Sequence, residues 1–218
     1  YLIIYGSGGT YRVNYGQKAF AYTPPAGYKA WSSNNKVNLN TPIILNPQKH
    51  FDILTYTGNG SSPRTIGGLE FTPDFVWLKD RSSANWHRLQ NSVVGANKLM
   101  YSNSSNEEAT NENNGHIDAF TDDGFIVDDA SGGAVNTNGS NYVAWCWKAG
   151  GDSNTFNVDG VGYATASAAG ITDGSIALTG ASINTKSGFS IITYTGNGTS
   201  GATIGHGLGA VPSVAIFK

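Results

Sequence analysis

The sequence predicts an all-β protein: antiparallel β-sandwich modules in tandem, with very little helix. Apolar and β-branched residues come in short alternating runs closed by Gly, Asn, Ser or Pro, the pattern of strands joined by tight turns. Among the 218 residues, 29 are Gly and 22 are Asn, while charged residues make up only 13%, about half the usual share of a globular domain. Solubility therefore rests on amides and hydroxyls. A long phrase also occurs twice: Phe51-Asp52-Ile53-Leu54-Thr55-Tyr56-Thr57-Gly58-Asn59-Gly60 returns as Phe189-Ser190-Ile191-Ile192-Thr193-Tyr194-Thr195-Gly196-Asn197-Gly198. The echo continues through Thr65-Ile66-Gly67 and Thr203-Ile204-Gly205. After a one-residue insertion it runs on through Leu69, Pro73 and Lys79 against Leu208, Pro212 and Lys218. The distance between copies far exceeds the roughly 20 to 50 residues of solenoid or propeller units, so the repeated unit is a domain.

Taken in order, residues 1–33 read as strands at Tyr1 to Tyr5 and Thr10 to Tyr15, then an extended segment that bends at Pro24-Pro25. A polar linker over 34–49 follows. Residues 50–151 read as a complete sandwich. Its first strand, Phe51 to Thr57, places Phe51, Ile53, Thr55 and Thr57 on one face and Asp52, Leu54 and Tyr56 on the other. Asn59-Gly60 has the positive-φ chemistry of a tight hairpin turn, and Asn197-Gly198 repeats it. Further strands are expected at Phe75 to Lys79, Gly124 to Val127 and Asn141 to Lys148. The last sets Tyr142, Ala144 and Cys146 against Val143, Trp145 and Trp147, as two packed sheets require. Ser102 to Gly115 carries almost nothing apolar and reads as an exposed loop. Residues 152–187, rich in Gly, Ala, Ser and Thr, read as a connector with one helical turn over Ala164 to Gly170, capped by the glycine. Residues 188–218 read as the start of a second, truncated repeat that stops inside a strand-like run, Val211 to Lys218. The chain is expected to be a window cut from a longer array.

Composition excludes several classes. The formal net charge of −2 offers no basic face for nucleic acid, which binds through neutralised phosphates. No run of eighteen apolar residues is present, so no membrane insertion is expected. The single cysteine, Cys146, rules out an intrachain disulfide and a cysteine-rich zinc site, and its place between two tryptophans reads as a small buried hydrophobe.

Two stretches resemble known families. Val13-Asn14-Tyr15-Gly16-Gln17-Lys18-Ala19-Phe20-Ala21-Tyr22-Thr23-Pro24-Pro25-Ala26-Gly27-Tyr28 resembles the C-terminal end of a SPRY-like domain, so residues 1–33 would close a jelly-roll, SPRY-like sandwich whose body lies upstream. Phe51 to Gly151, with its "FDILTYTGNG", "PDFVWLK" and "YVAWCWKAGG" phrases, is similar to a repeated domain of marine bacteriophage structural proteins of the tail or fibre type. The resemblance implies a virion, extracellular location, a homo-oligomer (a trimer for a fibre), other virion proteins as partners and a host-surface glycan as a possible ligand. It implies no cofactor.

The search for catalytic chemistry looks for paired carboxylates, a nucleophile with a base, and ligands at metal spacing. Asp122, Asp123, Asp128 and Asp129 flank one strand and are weak candidates for Ca²⁺, lacking the spacing of a known calcium loop; solvated turn carboxylates are the ordinary reading. His50, His87, His116 and His206 are scattered. Gly205-His206-Gly207-Leu208-Gly209 lacks the strand and helix of a phosphate loop and reads as a turn. The Asn-x-Ser/Thr triplets at Asn59, Asn103, Asn138 and Asn197 follow from composition.

Trp77, Trp86, Trp145, Trp147 and Tyr142 offer rings for sugar stacking. Trp86-His87-Arg88 is the best local candidate, because it lies in a polar loop, Ser82 to Gln90, where alternation does not demand a Trp; packing is the ordinary alternative. The leading expectation is a non-enzymatic structural component of a bacteriophage virion, a tail fibre or other appendage that contributes to host attachment. The alternatives are a carbohydrate-binding module of a secreted or cell-surface protein, and part of a glycan-depolymerising tailspike whose active site lies outside this chain.

Overall fold

A computed structural model describes residues 44–128 and 133–218. Strands expected before Pro24-Pro25, the whole of 1–33 and most of the 34–49 linker lie outside the described residues. Asn46–Lys218 forms one compact unit. It is almost wholly β, and its largest part is a sandwich of two antiparallel sheets.

After a short 3-10 turn at Pro47–Lys49, the chain forms β1 (Phe51–Thr57), β2 (Arg64–Gly67), β3 (Phe75–Asp80), β4 (Arg88–Asn91), β5 (Gly95–Tyr101), β6 (Ala109–Thr110), β7 (His116–Thr121), β8 (Gly124–Asp128) and β9 (Asn141–Trp147). One sheet has the order β1-β9-β3-β4-β5-β6 and the facing sheet β2-β8-β7. The alternation of β9 is what makes it the centre of the larger sheet. Tyr142, Ala144 and Cys146 are fully buried, and β9 pairs β1 at Ile53↔Trp145 and β3 at Trp77↔Trp145. Val76, Leu78, Tyr142 and Cys146 from one sheet meet Ile66, Ile117, Phe125 and Val127 from the other, with Leu69 and Phe71 closing the core.

Asn59-Gly60 does not close a hairpin, as expected from its turn chemistry. β1 and β2 belong to different sheets, so the phrase carries the chain across one end of the sandwich. The crossing is held by Asn136, which is fully buried. Its side chain accepts from Asn59 N (3.1 Å) and Arg64 Nη1 (2.8 Å) and donates to Asn59 Oδ1 (2.9 Å) and Ser61 O (2.6 Å). A buried amide with both ends occupied fixes a corner that backbone pairing leaves open.

Residues 152–187, expected as a connector, fold as a sheet. β10 (Phe156–Val158), β11 (Val161–Tyr163), β12 (Leu178–Asn184) and β13 (Phe189–Tyr194) lie in the order β11-β10-β12-β13, with β10 and β12 parallel. Phe156, Ile171, Ala181 and Ile183 form a second small core. The helical turn is present: Ala169 N donates to Thr165 O, Ile171 N to Ala166 O, and Gly170 has φ +75°, the glycine-ended closure of a helix. The opening strand of the second copy, β13, is the edge of this sheet. The run Val211 to Lys218, strand-like in sequence, forms no strand.

The two cores are joined by rings. Trp147 contacts Phe51 (centroids 4.9 Å) and Phe75 (5.3 Å) and stacks on Phe189 (5.9 Å, 17°). Ser182 adds polar ties, accepting from Gly150 N and donating to Gly151 O, both at 2.8 Å.

Candidate functional site: the Trp86 cleft

The loop between β3 and β4 is built by Lys79 and Asp80. Asp80, buried at the end of β3, accepts from Ser82 N (2.8 Å), Ser83 N (3.1 Å) and Asn85 Nδ2 (2.9 Å). Lys79 Nζ donates to Ser83 O (3.0 Å) and Asn85 O (2.9 Å). A carboxylate that gathers the amides after it makes a rigid short turn, and this turn delivers Trp86 to the surface.

Arg88 was expected in the same polar loop; it is instead the first residue of β4 and is buried. Its guanidinium donates to Gly115 O (2.8 Å), Asn114 O (2.9 Å) and Trp86 O (3.2 Å), and lies 5.9 Å from the ring centre of Tyr101. Strand pairing places Arg88 opposite Tyr101. Trp86, 46% exposed, meets Tyr101 edge-on at 4.9 Å. Burial raises the Tyr101 pKa, and the Glu112 carboxylate adds to the rise against the opposing pull of Arg88, so the phenol stays protonated and able to donate. The result is a cavity of about 240 Å³ lined by Asn85, Trp86, Arg88, Tyr101 and Asn114, with Ala84 and Ala134 at its sides. That is below the roughly 300–1,000 Å³ of ordinary small-molecule sites; it suits one ring presented to an aromatic edge and a few amides.

His87 leaves this group. Its Nδ1 accepts from Trp77 Nε1 (3.2 Å) and its backbone N donates to Asn103 Oδ1 (3.0 Å). Burial first, then the Lys79 ammonium, hold its pKa below the ordinary histidine range, which agrees with an acceptor nitrogen facing the indole. Of the three residues singled out in sequence, the fold brings Trp86 and Arg88 together and turns His87 away. The wider ring platform also divides: Tyr142 is core, Trp77 and Trp145 meet edge-to-face at 6.1 Å, and Trp147 belongs to the ring junction with Phe189.

Asp122 and Asp123 sit in the β7–β8 turn, and Asp128 lies at the far end of β8. A five-residue strand at about 3.3 Å per residue keeps the two ends apart. Asp128 accepts from Ser62 Oγ (2.6 Å) and Asp123 from Thr121 Oγ1 (3.4 Å); Asp129 lies outside the described residues. Among the described residues no group of three His, Cys, Asp or Glu is placed to hold a metal ion. His50 lies 3.0 Å from Asn184 Nδ2, His116 lies 3.3 Å from Glu112 O, and His206 accepts from Leu208 N.

Cys146 is fully buried, and burial, with Asp52 adding to it, pushes its thiol up to about 12. Thiolate at pH 8 is then roughly one part in ten thousand. The native protein is expected to leave a disulfide reagent such as Ellman's unreacted over hours and to release one equivalent on unfolding; rapid native labelling would refute the buried placement.

A two-sheet antiparallel sandwich that carries a third sheet and an aromatic, amide-lined cleft defines the molecule as an all-β sandwich protein. Residues 46–218 match the family described as Domain of unknown function (DUF7483), and the chain belongs to that family. The match runs through both copies of the repeated phrase and the sheet between them. No curated protein and no solved structure matches the chain.

Proposed function

We propose that the chain is a non-enzymatic structural component of a bacteriophage virion, a tail fibre or similar appendage, which contributes to host attachment by holding a surface glycan at Trp86. The observation that carries the attachment role is the cleft itself. A Trp ring held in place by Tyr101 and a buried Arg88 presents an apolar face beside amide donors and acceptors, the combination that reads a sugar ring. The repeat-built, low-charge, Asn- and Gly-rich sequence and the resemblance to marine phage structural domains support the virion setting. Weak single sites suit such a particle, since many copies on one appendage gain avidity. Trimeric assembly, contacts with other virion proteins and an extracellular location belong to the same reading.

The cleft equally favours a second reading, a carbohydrate-binding module of a secreted or cell-surface protein. Native mass separates the two: an appendage component of the complete protein is expected to run as a trimer, an independent module as a monomer. The attachment role is tested by binding of the chain to a panel of bacterial surface polysaccharides. Trp86→Ala is expected to weaken retention about tenfold, or roughly 1.4 kcal/mol. Equal binding by wild type and variant, or silence across the panel, would remove the glycan role.

A further inference from the structure

The second copy of the repeated phrase is folded as the first is, up to a point. In copy one, Leu54 and Leu69 pack on the main core; their counterparts Ile192 and Leu208 pack on the second core. Phe51 and Phe189 meet the same indole, Trp147. Beyond this the copies part. In copy one, β9 lies between β1 and β3, with Phe51↔Trp147 on one side and Phe75↔Trp147 on the other. Tyr56 stacks on Tyr142 of β9 (4.9 Å, 15°), and Val76 and Leu78 of β3 are sealed.

In copy two, β13 takes the place of β1 and pairs with β12 alone. Tyr194, the counterpart of Tyr56, is exposed. The counterparts of Phe75, Trp77 and Leu78 are Val214, Ile216 and Phe217, 77%, 68% and 72% exposed. This run, Val211 to Lys218, forms no strand, and Lys218 Nζ donates to Ser104 O (2.6 Å).

We infer that β13 and the run Val211–Lys218 form a receptor for one added strand: an extended peptide segment with the alternation of β9, inserted antiparallel to β13. The argument rests on the internal repeat. It supplies both flanking strands of a three-strand unit whose central strand is known from copy one, together with the register that strand would adopt. An edge strand presents alternate N–H and C=O groups to a newcomer, and such addition draws affinity from backbone bonds and specificity from alternate side chains. The required chemistry follows from β9. Tyr, Ala and Cys at alternate positions face the core side, where bulkier groups would clash with Ile192. The intervening Val, Trp and Trp extend the outer aromatic face that Phe189 begins.

The test adds a synthetic peptide copying residues 141–148 to the full chain and follows amide exchange. Exchange at the β13 amides that point away from β12, and over Val214 to Phe217, is expected to slow at least about tenfold on saturation. A control peptide with inner and outer residues interchanged is expected to leave it unchanged. As a second arm, the same peptide is joined after Lys218 by a flexible Gly/Ser linker, which is expected to raise the unfolding midpoint and quench Tyr194 solvent exposure. Equal protection by the control peptide, or none in either arm, overturns the inference. So does concentration-dependent dimerisation of the peptide-free chain that protects the same amides, since a second copy of the chain would then be the occupant.

Discussion

Gly58→Ala is expected to destabilise the protein by about 3 kcal/mol or more, whereas Gly196→Ala, the same word of the phrase in the second copy, is expected to change stability by less than about 0.5 kcal/mol. The contrast comes from what each glycine faces. A Cβ on Gly58 would lie 2.0 Å from Thr137 O and 2.8 Å from its carbonyl carbon. Those are backbone atoms held on both sides, since Gly58 N donates to Ser140 O, Gly139 N donates to Gly58 O, and Tyr142 Oη accepts from Thr137 N. Relief would require the crossing between the two sheets to open. A Cβ on Gly196 meets nothing within 4 Å. Urea unfolding of the two variants measures the difference directly. Equal losses would mean that the glycine serves the phrase's own local conformation and not the packing of 136–140 against it.

Asp74→Ala is expected to cost roughly 3 kcal/mol, and Asp74→Asn far less. Asp74 is buried. Its carboxylate accepts from Ser92 Oγ (2.8 Å), Ala149 N (2.7 Å) and Gly151 N (3.3 Å), so it ties the start of β3 to the Gly150-Gly151 exit from β9. Alanine leaves those donors without an acceptor, while an Asn amide keeps an oxygen toward the two N–H groups and a donor toward Ser92. Burial, the largest influence, raises the Asp74 pKa above 3.8 against the lowering effect of its three hydrogen bonds. The sign follows from linkage. A folded pKa above the unfolded one means that the native state binds the proton more tightly; the contribution is therefore full below about pH 3.8 and is lost as pH rises through the raised value. The stability of wild type relative to Asp74→Asn is thus expected to fall with rising pH across that window and then level off, as chemical denaturation at a series of pH values would reveal. A difference that grew with pH would reverse the sign and identify the carboxylate as a net stabilising charge.

Where side chains alternate strongly, the sequence was a sufficient guide. The inward row Tyr142, Ala144 and Cys146 and the strands at Phe75, Gly124 and Asn141 could be read directly, because a half-buried strand imposes period two on its residues. The sheet over 152–187 escaped because its core positions are filled by Ala181, Ser182 and Asn157 as well as by Phe156 and Ile183. Small and amide residues satisfy burial there without an apolar rhythm. The Asn59-Gly60 corner misled for another reason: a positive-φ glycine after Asn serves a two-residue hairpin and a sheet-to-sheet crossing equally well. Only Asn136, far along the chain, decides between them.

The site was legible to a similar degree. Trp86 stood out because no alternation required it. Tyr101 and Asn114 did not, since the first reaches the cleft through the β4–β5 register and the second through its backbone bond to Arg88. His87 beside them in sequence points elsewhere because adjacent residues entering a strand take opposite faces.

The stack of Phe189 on Trp147 governs how one unit follows the next. Phe189 opens the second copy, and its ring lies within 6.1 Å of Phe75 as well as on the indole. Successive units in an array built through this contact would inherit a set rise and rotation from ring geometry, independent of any tether length. Such a chain would bend as a rod bends, by straining its joints, and would carry tension from one sandwich to the next through aromatic surfaces.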